Sequence, residues 1–177
     1  MSYRHDIAGV SDDNFRRGSN SNSSVLGDNV RISCSTGGAG PLQVTDPLLD
    51  HSIAIVDTTI STCGMNLSGY STSCSRPLNI LLTFSTLIFM PEGSTANLIF
   101  QIRRSMNSGP AIRIGPAFTF ADEAESLKSE SFSFQYFDSN LQPGVYTYTV
   151  ELSSNSDISG VSGLTIVNAS FCTLAIC

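Results

Sequence analysis

The stretch Ser129–Leu152, SESFSFQYFDSNLQPGVYTYTVEL, decides the fold class. Phe132, Phe134 and Tyr136 alternate with small polar residues, and the same alternation of aromatic and polar residues returns in Gly144–Leu152. A period of two residues is that of a β-strand with one buried face, and Asn, Pro and Gly between the two halves are turn residues. The stretch therefore predicts two β-strands joined by a turn.

The same pattern of strand-forming runs separated by turn residues extends over residues 49–177. Further runs rich in β-branched and aromatic residues are separated by Gly, Pro, Ser and Asn, and they read SIAIVDTTI, NILLTFSTLIF, NLIFQIRRS, AIRIGPAFTF and GLTIVNASFCTLAI. The one short helical candidate, ADEAESLKSE at 121–130, reads equally well as an exposed acidic loop. The chain is thus predicted to be all-β, an antiparallel sandwich of about eight strands. A jelly roll is preferred over an immunoglobulin-like sandwich, because the chain has no tryptophan.

Residues 1–48 differ from the rest and are predicted to form a flexible N-terminal arm. The arm is dominated by Ser, Asn, Gly and Asp, which cannot bury enough apolar area to offset the entropy of ordering. Within it, Val30, Ile32 and Cys34 alternate with polar residues, which predicts a short β segment near 29–35. The glycines of STGGAGP, which follows, are predicted to act as a hinge.

Charge and hydropathy exclude two classes of partner. The net charge is −6, and only 14% of the residues are charged, so no basic surface for nucleic acid is expected. The longest apolar run, Leu78–Met90, is too short for a membrane helix. The N-terminus lacks the apolar core of a secretory signal.

No catalytic constellation emerges from the motifs. The two histidines, His5 and His51, have no local partner at metal-ligand spacing. GVSGL at 160–164 has leucine where a nucleophile elbow needs glycine, and it is interpreted as a turn. Arg103 and Arg104 are adjacent in a strand, so they point in opposite directions and form no clamp. We expect neither enzymatic activity, nor a cofactor or metal, nor a small-molecule substrate.

The acidic segment that contains Asp122, Glu123, Glu125 and Glu130 has two readings. It lacks the spaced ligands and the central glycine of a calcium-binding loop. A solvated charged loop is therefore favoured over a calcium site on the outer surface.

The cysteines suggest how copies of the chain could be joined. There are five, namely Cys34, Cys63, Cys74, Cys172 and Cys177. Cys63 and Cys74 flank a loop rich in Gly and Ser, where a local disulfide would contribute roughly 2–4 kcal/mol. Cys172 and Cys177 are an odd number of residues apart, so within one strand they face opposite sides and cannot bridge each other. The alternative is that several are buried free thiols, although an odd count leaves at least one without an internal partner.

The arm and the sandwich together suggest polymerisation. An open sandwich has edge strands with unpaired backbone groups, and an arm with a β segment can fill such an edge on the next copy. Such a contact is head-to-tail and repeats into rings or fibres. A bond from Cys34 to Cys172 or Cys177 of a neighbour would make the joint permanent.

The runs SIAIVDTTI, NILLTFSTLIF, NLIFQIRRS, ESFSFQYFD, PGVYTYTVEL and GLTIVNASFCTLAI, in that order, resemble a family of proteins. These are small cysteine-bearing jelly-roll proteins of spore-forming clostridia, and more distantly the chain is similar to subunits of bacillus endospore appendages. The resemblance implies a pilus-like fibre in which each arm reaches a preceding subunit. It implies that Cys34 is the arm cysteine and that Cys172 of another copy is its partner. It also implies a spore-surface or extracellular location without a secretory signal, since assembly would begin inside the mother cell.

Three functions therefore compete. The favoured one is a structural, self-assembling subunit of an extracellular fibre or spore-surface appendage, with copies of itself as its partner. A second is a trimeric binding module like the jelly rolls of the tumour-necrosis-factor and complement-like group. A third is a structural protein of a phage or virus.

Overall fold

The computed structural model of the chain describes residues 22–25, 30–42, 52–62, 64–65, 71–72, 78–154 and 163–176. Strands account for nearly all of these residues. In chain order they are β1 (Asn22–Val25), β2 (Val30–Leu42), β3 (Ile53–Ser61), β4 (Gly64–Met65), β5 (Ser71–Thr72), β6 (Leu78–Met90), β7 (Ser94–Met106), β8 (Ile112–Ala124), β9 (Lys128–Leu141), β10 (Val145–Ser154) and β11 (Leu164–Ile176).

The long strands form two antiparallel sheets. One has five strands in the order β1-β2-β11-β6-β9, and the other has four in the order β3-β10-β7-β8. The short strands β4 and β5 pair with each other. Apart from the hydrogen-bonded neighbours β7 and β8, consecutive long strands from β2 onward lie in opposite sheets. This order confirms the predicted jelly-roll sandwich, in which eight long strands form two sheets.

Alternating side chains from both sheets form the core. Every second residue of β6 is buried from Leu78 to Met90, and β10 buries Tyr146, Tyr148 and the aliphatic residues that follow at the same spacing. Phe84 lies near the centre, with its ring 4.9 Å from that of Phe134 and 5.6 Å from that of Phe100. Each fully buried large apolar side chain contributes on the order of 1.5–3 kcal/mol, so this core is the main source of stability.

The acidic segment 121–130 is neither a helix nor a free loop. Strand β8 extends to Ala124, and β9 begins at Lys128 after three intervening residues. The Nζ atom of Lys128 lies 2.6 Å from Oδ2 of Asp122, which ties the two strand ends together. The helical reading is wrong because Ala124 is buried as a strand residue while the acidic neighbours remain at the surface.

Strand β2 corrects two expectations about the arm. The predicted segment near 29–35 is longer than expected, because β2 continues to Leu42 and pairs with β11 of the same chain. The glycines predicted to be a hinge lie within β2. A Cβ at Gly38 would lie 2.6 Å from the Ile166 carbonyl oxygen, and one at Gly37 would overlap the Ile55 carbonyl oxygen. Glycine is needed here because β2 runs close against both β11 and β3.

Candidate functional site

The covalent feature of the described structure is a disulfide between Cys34 in β2 and Cys172 in β11. The two residues face each other directly in the antiparallel register, and their Cα atoms are 4.1 Å apart. Both cysteines are half-buried on the outer side of the five-stranded sheet. The resemblance implied that these two cysteines pair between different copies; in the structure of the single chain they pair with each other within that chain.

The inner side of β2 is polar. Ser33 is fully buried, its hydroxyl accepts a hydrogen bond from Thr58 Oγ1 at 3.1 Å, and its carbonyl accepts one from Thr173 Oγ1 at 3.2 Å. Arg31 donates from Nη1 to the carbonyl oxygen of Ser61 at 2.7 Å. Thr58 and Ser61 belong to β3, so these contacts connect the two sheets along one side of the sandwich.

The outer side of β2 carries Val30, Ile32 and Cys34, the residues that predict the strand. Alternation alone suggests that such an apolar set should face the core. Here the small residues Ser33 and Ser35 take the inner positions, because β2 approaches β3 so closely that a side chain at Gly37 would meet the Ile55 carbonyl. The apolar set is left facing away from the sandwich.

The other cysteines predicted as cross-links are Cys63, Cys74 and Cys177, and all three lie outside the described residues. The local disulfide between Cys63 and Cys74 therefore stays a prediction. His5 and His51 also lie outside the described residues.

A buried polar cluster joins the two sheets through the interior. Arg104 of β7 donates from Nη1 to both carboxylate oxygens of Asp138 in β9, at 2.9 Å each. The hydroxyl of Tyr148 in β10 donates to Oδ2 of the same carboxylate, also at 2.9 Å. The Asp138 side chain is 8% exposed and that of Arg104 is 23% exposed, so the ion pair is largely removed from water.

Burial and charge shift the pKa values within this cluster. Burial raises the pKa of the Tyr148 hydroxyl far above its usual range, and the negative charge of Asp138 raises it further. Burial disfavours the charge on Arg104, but the hydrogen bond and attraction of Asp138 outweigh it, so the pKa of the guanidinium is raised. The Arg104 guanidinium therefore stays protonated and the Tyr148 phenol stays neutral across the ordinary pH range.

One signal for this cluster is present in the sequence. Asp138 is in phase with Phe132, Phe134 and Tyr136, so their alternation places it on the inner side of its strand. A carboxylate at such a position requires a partner. The identity of that partner depends on the strand order, which no local pattern reveals.

Arg103 and Arg104 point to opposite sides of β7, as predicted. Arg103 donates to Oε1 of Glu151 at 3.0 Å on the outer side of the four-stranded sheet, whereas Arg104 reaches Asp138 inside. No clamp is formed by the pair.

The acidic segment makes an ion pair of its own. The hydrogen bond from Lys128 lowers the pKa of Asp122, a half-buried carboxylate near the surface that is thereby already partnered by a cation. Within the part of the chain that the structure describes, no three His, Cys, Asp or Glu side chains are grouped so that they could hold a metal ion. A helix long and apolar enough to cross a membrane is likewise missing from that part.

Comparison with known proteins adds little to this geometry. No family model and no curated protein matches the sequence. Among solved structures, the chain is similar to the CBM22-1 xylan-binding domain of Xyn10C from Paenibacillus barcinonensis, at 12% sequence identity and a TM-score of 0.32. The match covers 90% of this chain and 83% of that domain. A likeness at this TM-score carries no argument about function.

Proposed function

We propose that the protein is a self-assembling structural subunit of an extracellular fibre or spore-surface appendage. Its partner is another copy of the same chain. The copies join head-to-tail when the N-terminal strand of one subunit enters the sheet of the next, and disulfides hold the joint. The observation that carries the proposal is the place of β2 in the fold.

Strand β2 has the properties of an exchangeable strand. It is the first long strand in the sequence, yet it pairs with the last, β11, over a register that runs from Val30 to Leu42. The contacts of β2 with β11 and β3 are the same whichever copy supplies the strand. Nine residues, 43–51, lie between β2 and Ser52. An extended chain of that length spans at most roughly 30 Å, so β2 can enter the sheet of another copy that lies within that distance.

The disulfide would link an exchanged β2 covalently to β11. Cys34 and Cys172 face each other only when β2 is seated in register on β11. An exchanged β2 would bring the same two sulfur atoms together, one from each copy. The bond within one chain and the bond between copies are therefore alternative closures of the same strand pair, as in domain swapping.

Two single variants test the exchange directly. In a background in which Cys63, Cys74 and Cys177 are replaced by serine, a Cys34→Ser chain and a Cys172→Ser chain are co-expressed. Neither can close the bond alone, but in an exchanged assembly the Cys34 of one type meets the Cys172 of the other. We expect a disulfide-linked dimer on non-reducing electrophoresis that disappears with thiol reductant.

The controls are the two variants expressed separately, which should run as monomers. A second measurement is negative-stain microscopy of the unmodified protein, in which fibres or rings are expected. If co-expression yields only monomers and the unmodified protein shows no multimers under oxidising conditions, the strand stays in its own chain and the proposal fails.

A further inference from the structure

A cross-strand row of large apolar side chains lies on the outer face of the five-stranded sheet. The register pairs Leu174 of β11 with Ile32 of β2 on one side and with Leu81 of β6 on the other. Leu81 in turn pairs with Phe137 of β9, which is 55% exposed. All four residues alternate with the inner-facing residues of their strands, so they lie together on the side away from the core.

Over the described residues of β2, β11, β6 and β9, the outer side of the sheet is uncharged. The positions that alternate with the core residues in these four strands are aliphatic, aromatic, Gly, Pro, Ser, Thr, Asn, Gln or Cys. The arginine of β2, Arg31, turns inward to Ser61, and the aspartate of β9, Asp138, turns inward to Arg104. Removing this face from water would thus bury no ionised group, which is the costly step in forming an interface.

The four-stranded sheet presents a different surface. Its outer side carries the ion pair between Arg103 and Glu151. Asp57 in β3 and Arg113 and Glu123 in β8 are exposed on the same side. This surface is typical of a sheet that faces solvent, and the contrast singles out the outer face of the five-stranded sheet, which we call the uncharged face.

The phase of β2 points in the same direction. Val30, Ile32 and Cys34 face outward while Ser33 and Ser35 face the core. In a strand with a single buried side, the apolar set is expected on that side. The close approach of β3 accounts for the small residues on the inner side of β2, and burial of the outer side in the assembled protein would account for the apolar residues there.

We infer that the uncharged face docks flat against the same face of a second copy of the chain. Four strands about 4.8 Å apart and about 13 residues long, at roughly 3.3 Å per residue, present about 800 Å². That is about the area that each partner buries in a stable interface of standard size. An uncharged face is complementary to itself, because two copies meet without like charges opposing each other. Packed sheets of this kind lie about 10 Å apart.

This contact is distinct from strand exchange. It rests on the proposed self-assembly only in that its occupant is another copy of the chain. Exchange joins copies within a sheet through the backbone hydrogen bonds of β2, whereas face docking joins them through side chains. One protein can use both contacts, and each can fail separately.

The test compares two isoleucines of equal exposure. Ile176 lies at the edge of the uncharged face and Ile112 lies in β8 of the other sheet, and each is 51% exposed. Ile176→Asp is expected to weaken self-association at least tenfold by sedimentation velocity over a range of protein concentrations. Ile112→Asp is expected to leave association unchanged. Both are measured with Cys34 and Cys172 intact and Cys63, Cys74 and Cys177 replaced by serine.

A second variant on the uncharged face shows whether a loss of association comes from the added charge or from misfolding. Ser85 is exposed near the centre of the face, on β6, and its cross-strand neighbours are Ser133 and Ser170, so Ser85→Asp adds a charge without removing a large apolar side chain. It should weaken association as strongly as Ile176→Asp, with an unchanged circular-dichroism spectrum.

Three outcomes overturn the inference. In the first, the unmodified protein is monomeric at every concentration, so the face is free or is covered by another part of the same chain. In the second, neither Ile176→Asp nor Ser85→Asp weakens association. In the third, Ile112→Asp weakens association equally. If Ile176→Asp and Ser85→Asp weaken association and Ile112→Asp does not, face docking is supported even when the co-expressed cysteine variants form no mixed dimer. If the mixed dimer forms and the face variants do not weaken association, only strand exchange is supported.

Discussion

Cutting the bond between Cys34 and Cys172 should destabilise the sandwich strongly, because the bond joins its first and last long strands. The two cysteines are 138 residues apart in the sequence. For a loop of that size the loss of unfolded-chain entropy amounts to about 5 kcal/mol, and measured disulfides typically deliver about 2–4 kcal/mol. In a domain of this size, one kcal/mol shifts the melting temperature Tm by about 2–4 °C, so Cys34→Ser should lower Tm by about 10 °C.

The assay is thermal unfolding followed by circular dichroism, in a background in which Cys63, Cys74 and Cys177 are serine. The decrease in Tm relative to the parent should be the same for Cys34→Ser, Cys172→Ser and the double variant, because each removes the same bond. Adding reductant should lower the Tm of the parent to that of the variants and should leave the variants unchanged.

Two results would refute this reasoning. One is a parent whose Tm does not respond to reductant, since the bond would then be absent or without effect on the unfolded chain. The other is a double variant that loses the sum of the two single losses. Additivity would mean that each thiol acts through its own packing rather than through a shared bond.

Three further predictions concern the interior of the sandwich. Asp138→Ala should lower the free energy of unfolding by about 3 kcal/mol in urea titrations, because the half-buried Arg104 and the buried Tyr148 hydroxyl lose their carboxylate partner. Asp122→Ala removes a half-buried carboxylate near the surface and should have far less effect. Above pH 10 the unfolded chain ionises Tyr148, while the folded chain keeps it protonated because its pKa is raised. The stability that is fully present below pH 10 should therefore fall by up to about 1.4 kcal/mol per pH unit above it. Tyr148→Phe should remove that part of the slope. Gly37→Ala should cost about 1–3 kcal/mol by forcing β2 away from the Ile55 carbonyl, and an unchanged Tm would contradict the close approach of the two strands.

The strands could be predicted from the sequence wherever a single local pattern decided them. The alternation in 129–152 is confirmed as β9 and β10, whose alternating aromatic residues face the core (Phe132, Phe134 and Tyr136 in β9, Tyr146 and Tyr148 in β10). At 121–130 no alternation decides the structure, and the sequence left a helix and an exposed loop equally open, because Ala and Glu favour a helix in isolation. There the burial of Ala124 and the pairing of β8 with β7 outweigh a helix propensity of only tenths of a kcal/mol per residue.

The candidate site was less accessible to sequence reasoning because it depends on strand order. The alternation around Cys34 predicts a strand, but it does not tell which side of that strand β3 closes. Ser33 is buried because the approach of β2 to β3 admits only small side chains. Similarly, the pairing of Asp138 with Arg104 requires β9 and β7 to face each other across the sandwich, which follows from the topology alone.

Strand β2 connects the two proposed contacts. It supplies one strand of the uncharged face, so a subunit whose β2 has been exchanged would present a face built from two chains. The disulfide between Cys34 and Cys172 lies on that same face and fixes the register of β2 on β11, which aligns Ile32 with Leu174. A face with this alignment exists only when β2 is seated, whichever copy supplies it. Face docking is therefore expected to occur only after β2 is seated on β11. If another copy supplies β2, docking joins subunits of a fibre that grows by exchange. If the same chain supplies β2, docking gives a closed pair of complete sandwiches.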